Sequence, residues 1–128
     1  MRVQAQITID WSRDLVWEIF TRPEGWETWW GGPLSSVEPG WEEGAKLHWD
    51  LGMPSTIVGV VPTERVEISG YHGGTETYTF TDVGSSTLVS YVQDTGSAMG
   101  LADVGVAQQE CEAVLARLKT YVEESSPA

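Results

Sequence analysis

At 128 residues and a formal charge of −12, with seven basic side chains against nineteen acidic ones, the chain has no cluster of Lys and Arg to hold a phosphate backbone or an anionic membrane surface. A hydrophobic content of 41% argues against disorder, yet no apolar run approaches the ~18–20 residues of a membrane span. The single cysteine excludes an internal disulfide and fits a reducing cytoplasm, and the length fits one domain over residues 1–128 with its own core.

The chain enters a strand at once, without the apolar stretch of a signal peptide. Val3, Ala5, Ile7 and Ile9 alternate with Arg2, Gln4, Gln6 and Thr8, the pattern of a strand with one wet face. Ser12 offers an N-cap oxygen to a short helix carrying Leu15, Val16, Trp17, Ile19 and Phe20. Pro23 suits the first turn of a second short helix through Trp26, Trp29 and Trp30, which Gly31-Gly32-Pro33 ends. Six strand-like segments follow: Leu34 to Glu38, Ala45 to Leu51, Ser55 to Val61, Arg65 to Tyr71, Thr75 to Asp82 and Ser86 to Asp94. Their short connections, rich in Gly and Pro, predict consecutive antiparallel hairpins.

The last stretch, Met99 to Glu124, has helical period. Val104, Ala107, Cys111, Leu115, Leu118 and Val122 repeat every three or four residues, with Leu101 and Val114 widening the stripe. Glu110, Gln109, Arg117 and Thr120 fall on or near the opposite side. Such a helix is not stable alone in water, so its apolar face must lie on the sheet. Parity supports this. Tyr78 and Phe80 share one face, as do Val89 and Tyr91, while Thr75, Thr77, Thr79 and Thr81 take the other. The expected fold is therefore α+β, a seven-stranded antiparallel sheet wrapped around a long C-terminal helix, with two short helices between strands 1 and 2.

This order resembles the helix-grip fold of the START and birch-pollen-allergen (SRPBCC) superfamily, which includes polyketide cyclases and aromatase/cyclases. The local text is similar to the branch related to activators of heat-shock-chaperone ATPase. The similar stretches are Ile7-Thr8-Ile9-Asp10 leading into Val16-Trp17-Glu18-Ile19-Phe20-Thr21, then Pro23-Glu24 with Trp29-Trp30. Gly84 to Val89 and the closing Leu115, Leu118, Tyr121 and Val122 match the same style. One departure stands out: where that branch often carries Gly-Trp before the closing Leu-x-x-Leu, this chain has Glu110-Cys111, which leaves room beneath the helix. The resemblance implies a START-like hydrophobic cavity between the long helix and the sheet, used for small molecules.

Candidate cavity residues follow. Seven tryptophans are more than a core of this size requires, and the resemblance puts Trp26, Trp29 and Trp30 at the entrance. Trp29 and Trp30 are adjacent on a helix, so one should be core and the other should line the mouth or lie exposed. Trp49, Tyr78, Phe80 and Tyr91 are expected as aromatic walls, and Leu101, Val104, Cys111 and Leu115 as the helix side. Gln93, Gln108 and Glu112 are candidate orienting groups, with simple solvent exposure as the alternative. Glu76 shares the face of Tyr78 and Phe80; if buried, its pKa should rise and it becomes a candidate acid or base.

A metal site is not expected, since His48-x-Asp50 lacks further ligands and His72 lies in a turn. Cys111 has no obvious activating partner, and no nucleotide or nucleophile motif appears. No cofactor is implied. Three functions remain open. The first is sequestration, transport or self-resistance through binding a hydrophobic, aromatic or polyketide-like molecule. The second is a cofactor-free cyclase or aromatase using the same pocket. The third is an interaction module like the chaperone-ATPase activators.

Overall fold

The computed structural model describes residues 2–30, 34–38, 40–49, 54–69, 74–94 and 101–125. The side chains of Trp49, Leu101 and Val104, three of the expected cavity walls, lie outside the described residues, as do His72 and the expected strand ends Leu51 and Tyr71. Strand β1 spans Arg2–Ile9 and leads into helix α1, Arg13–Phe20. A single 3₁₀ turn, Pro23–Gly25, precedes the short helix α2, Trp26–Trp29. Then come β2 (Leu34–Glu38), β3 (Lys46–Trp49), β4 (Ser55–Val61), β5 (Arg65–Ser69), β6 (Thr75–Val83) and β7 (Ser86–Asp94), and the long helix α3, Leu101–Ser125.

The seven strands form one antiparallel sheet in the order β1-β7-β6-β5-β4-β3-β2. Strands β2 to β7 are thus a meander, and β1 closes it by pairing along its full length with β7, from Arg2 opposite Asp94 to Ile9 opposite Thr87. With β1 and β2 as the edges and the helices on one face, this is the helix-grip arrangement expected from the sequence. Inward positions alternate as parity requires: Val3, Ala5 and Ile9 are buried on β1, Val66 and Ile68 on β5, Tyr78 and Phe80 on β6, Val89 and Tyr91 on β7.

Local chemistry sets the helix ends. Ser12 Oγ accepts from the Leu15 N–H at 3.3 Å, a side-chain cap on the first turn of α1. The short α2 ends at Trp30, and Arg117 Nε of α3 donates to the Trp29 carbonyl at 3.0 Å, placing a cation where the last carbonyls are unpaired. Gly25 is needed for the same junction, since a Cβ there would lie 2.6 Å from the Tyr121 ring of α3.

Helix α3 packs chiefly against β1, through a buried stripe of Ala107, Cys111, Val114, Leu115, Leu118 and Val122. Its flanking polar side chains seal the edge of that strand. Gln108 Nε2 donates to the Gln4 carbonyl at 2.8 Å and Lys119 Nζ to the Thr8 carbonyl at 2.7 Å, satisfying edge groups that no further strand pairs. No helix among the described residues is long and apolar enough to cross a membrane.

The indoles turn out mostly to build core. Phe20 is the hub of an aromatic cluster, with ring centroids 5.3 Å from Trp26, 5.4 Å from Trp29, 5.7 Å from Trp41, 5.0 Å from Tyr78 and 5.1 Å from Phe80. The polar tips of two indoles are placed: Trp26 Nε1 donates to the Phe20 carbonyl at 2.8 Å and Trp41 Nε1 to the Thr21 carbonyl at 2.9 Å. Both bonds hold the irregular segment after α1 against the rest of the cluster.

If α3 is held by its apolar stripe, truncating Leu118, which is fully buried, to Ala should cost ~2–5 kcal/mol. Val106→Ala on the same helix, at a residue 65% exposed, should stay within ~0.5 kcal/mol of the parent. Urea unfolding midpoints of the two variants check this.

Candidate functional site

A cavity of about 320 Å³ opens between α3 and the β6–β7 hairpin, beside the end of α2. The register of the hairpin builds its floor. Glu76 lies opposite Gln93 and Tyr78 opposite Tyr91, so two polar side chains and two phenols stand in adjacent rows of the inner face. The rings of Tyr78 and Tyr91 stack almost parallel, 4.5 Å apart at 4°. Trp30 meets Tyr91 edge-on at 6.2 Å and forms one wall, and Glu110, Cys111 and Val114 of α3 form the other.

Glu76 is the electrostatic centre. Its residue is half-buried, but removal of its carboxyl from water raises the pKa from 4.5 to about 7, against hydrogen bonds from Tyr91 and Gln93 that favour the charged form. The phenol of Tyr91 donates to this carboxyl. Desolvation first, then the charge of Glu76, pushes the Tyr91 pKa far above its ordinary range. Tyr78 is pushed up for the same leading reason, and its Oη has no partner of hydrogen-bond geometry among the described residues, although it lies close enough to Tyr91 to couple electrically. The indole N–H of Trp29 is also buried without such a partner. Burial, then the nearby Glu76, Glu110 and Glu112 carboxylates, pushes the Cys111 thiol up to about 11.

The sequence candidates separate on this frame. Glu76, Tyr91, Gln93, Cys111 and Trp30 come together around the cavity. Trp29 is fully buried and Trp30 is the partner that faces the opening, which resolves the adjacent pair. Trp26, Trp29 and Phe80 do not line the cavity; they belong to the aromatic cluster around Phe20. Tyr78 lies behind Tyr91 rather than at the surface of the cavity, and Leu115 is core under α3.

Gln108 and Glu112 lie away from the cavity as well. They bond to each other at 3.0 Å on the margin of α3 that meets β1. At about 100° per residue the stripe has two margins, and the open one carries Glu110 and Val114. The helical wheel puts Glu110 on or near the outer side, whereas the structure sets it at the cavity margin. Its position one residue before Cys111, on the margin opposite Gln108, was the available signal. His48 lies on β3 with Glu38 at 3.8 Å, and no histidine borders Cys111 among the described cavity residues. No group of three metal-binding side chains occurs among the described residues.

The comparisons with known proteins agree with this architecture. The profile of the family described as "Activator of Hsp90 ATPase homolog 1-like protein" matches residues 10–123. The chain belongs to this family. Solved structures share its fold. Protein SSP2350 from Staphylococcus saprophyticus superposes with a TM-score of 0.79 at 20% identity, over 100% of this chain and 96% of that one. DynU16, a protein of the dynemicin biosynthetic locus, gives 0.80 at 21% identity, over 98% of this chain, which spans only 48% of DynU16. CalU16 from Micromonospora echinospora gives 0.74 at 21% identity, over 98% of this chain and 76% of its own. At such identities the likeness concerns the fold. No match was found among curated protein sequences.

Two outcomes follow from the site. The native Glu76 carboxyl keeps its proton up to about pH 7, whereas the unfolded chain releases it near 4.5. Between those values the native state binds more protons, so this group's contribution to stability is full below about 4.5 and is lost as pH rises through about 7. Glu76→Gln should therefore match the parent at pH 5 and exceed it by about 2 kcal/mol at pH 8, allowing for partial solvent access. Urea titrations at the two pH values measure this, and equal stability at pH 8 would rule out the desolvation account. For Cys111, a thiol held near 11 has only a trace of thiolate at pH 8. Reaction with a disulfide reagent should be more than tenfold slower in the folded protein than in urea.

Proposed function

We propose that the chain is a single ligand-binding domain that encloses a small aromatic or polyketide-like molecule between α3 and the β6–β7 hairpin, acting by sequestration, transport or self-resistance. The observation that carries this is the cavity itself: about 320 Å³, lined by Trp30 and Tyr91 with a few convergent polar groups. That volume lies at the small end of the ~300–1,000 Å³ common for ligand pockets, and few aromatic rings with sparse polar groups is their usual lining. One protein of similar fold, DynU16, belongs to the dynemicin biosynthetic locus, which is consistent with a small-molecule ligand. The lining is mixed rather than wholly hydrophobic, so affinity should depend on both stacking and polar matching. The single cysteine, free and buried, fits a reducing cytoplasm, which is the location we propose.

One observation favours a second reading. A carboxyl with a pKa of about 7, held by a phenol in a cavity, is poised for proton transfer at neutral pH. If the bound molecule is a reactive polyketide-like chain, Glu76 would be the group that moves a proton during its cyclisation, and Tyr91 would orient it.

Native mass spectrometry of protein from its own host, looking for a co-purified small molecule, tests the first reading. With that molecule, or a neutral naphthalene probe, Trp30→Ala should weaken binding at least tenfold. Trp26→Phe should lower stability yet leave affinity within about twofold, since Trp26 packs on Phe20 and Trp29 and not on the cavity. Equal loss in the two variants would mean that the cavity is not the site. Turnover that disappears in Glu76→Gln while binding persists would select the enzymatic reading.

A further inference from the structure

The cavity is electrically one-sided. Glu76 stands on its floor and Glu110 at its α3 margin, and no Lys, Arg or His is among the described residues that line it. Glu110 has a countercharge: Arg117 Nη2 approaches it at 3.5 Å. Glu76 has none among the described residues. The chain contains only seven basic side chains other than histidine, and each is placed elsewhere. Arg13 faces Glu64 and Asp82, Arg22 pairs with Glu18, and Arg65 with Glu67. Lys119 pairs with Glu123, and Lys46 donates to Thr56 across the β3–β4 ladder. Arg2 borders a separate groove with Arg65 and Asp94.

The groups that do face Glu76 supply no positive charge. Tyr91 and Gln93 of β7 donate hydrogen bonds to its carboxyl and so favour its charged form. Tyr78 of β6 and Cys111 of α3 keep their protons through neutral pH and contribute no cation. Glu110 adds a second negative charge, and the faces of Trp30 and Tyr91 add the negative quadrupole of aromatic rings. A desolvated carboxylate without a countercharge costs free energy that a ligand of the right charge recovers.

We propose that the cavity takes an aromatic ligand bearing a protonated amine, with the ammonium against the Glu76 carboxylate and the adjoining ring faces of Trp30 and Tyr91. This rests on the reading of the cavity as a ligand site and names the chemical class of what it holds. The competing class is a ligand with a carbonyl or quinone oxygen, to which a protonated Glu76 would donate. The two classes have opposite pH dependence. An ammonium needs the carboxyl ionised, so its affinity falls as pH drops below about 7; an acceptor oxygen needs it protonated, so its affinity rises.

Calorimetry with naphthylethylamine, naphthylethanol and naphthylacetate, on the full chain, decides between them. At pH 8 the amine should bind at least tenfold tighter than the alcohol, and the acetate weakest. At pH 5.5, where the amine stays protonated but Glu76 does not stay ionised, its affinity should drop by up to ~30-fold while that of the alcohol holds. Glu76→Gln should abolish both the preference and the pH dependence. Should that variant fold poorly, the pH profile of the parent protein decides alone. An alcohol as tight as the amine at pH 8, or an amine that binds better at pH 5.5, overturns the proposal and leaves the cavity reading standing. No binding of any of the three at millimolar concentration removes the cavity reading with it.

Discussion

The structure depends first on the register between β6 and β7. Nine consecutive pairs run from Thr75 opposite Asp94 to Val83 opposite Ser86, closed by a turn in which Gly84 takes a left-handed φ of 64°. Because side chains alternate faces, a slip of one residue would send Glu76, Tyr78 and Phe80 to the outer face together. The pairing of Tyr78 with Tyr91 and Phe80 with Val89 makes that slip costly, since it would expose the two buried rings of β6 at once. The position of the cavity carboxyl is thus fixed by hydrophobic neighbours on its own strands. Strand β1 extends the same logic by one more register, laying Ala5 beside Tyr91 and Val3 beside Gln93.

The long helix answers to a different constraint. It lies along the β1 edge, where Gln108 and Lys119 take up carbonyls that an edge strand would leave to water. Docked there by its apolar stripe, it turns Glu110, Cys111 and Val114 toward the β6–β7 side. The cavity is the space between a helix anchored on one side of the sheet and the side chains that rise on the other. Arg117, anchored on the Trp29 carbonyl and near Glu110, ties the end of α2 to this margin and so holds Trp30 at the opening.

Most of the fold was legible in the sequence because both periodicities were clean. Alternation set the inner faces of β1, β5, β6 and β7, and the 3.6-residue period set the stripe of α3. Turn residues between strands fixed the meander, whereas the pairing of β1 with β7 had no local signal, since it joins residues far apart in the chain. The candidate site was half legible. Parity identified Glu76, Tyr91 and Gln93, and helical geometry required Trp29 and Trp30 to diverge. What sequence could not give was the side of the helix that opens. Gln108 and Glu112 on one margin, and Glu110 on the other, are equally polar; only the docking of α3 on β1 decides between them. The tryptophans misled for a related reason. Their number suggested a lined chamber, but three indoles were needed to fill the irregular corner after α1, where two polar tips secure backbone carbonyls that no strand or helix satisfies.

Glu76 conflicts with its surroundings in a way that a purely structural residue would not. A Leu or Gln at this place would pack against Ile68, across the β5–β6 ladder, without the desolvation that lifts the carboxyl to about 7. Its two hydrogen-bond donors, Tyr91 and Gln93, stabilise the charged form and yet do not restore the ordinary value. The rest of the sheet follows local rules closely, with apolar residues inward and threonines outward on β6. An ionisable side chain on that inner face, inside a cavity and with all seven Lys and Arg placed elsewhere, is the pattern expected where stability has been conceded to a function. The same reasoning separates Glu76 from Glu110, whose charge is already matched by Arg117 at 3.5 Å and which therefore shapes the rim without demanding a ligand.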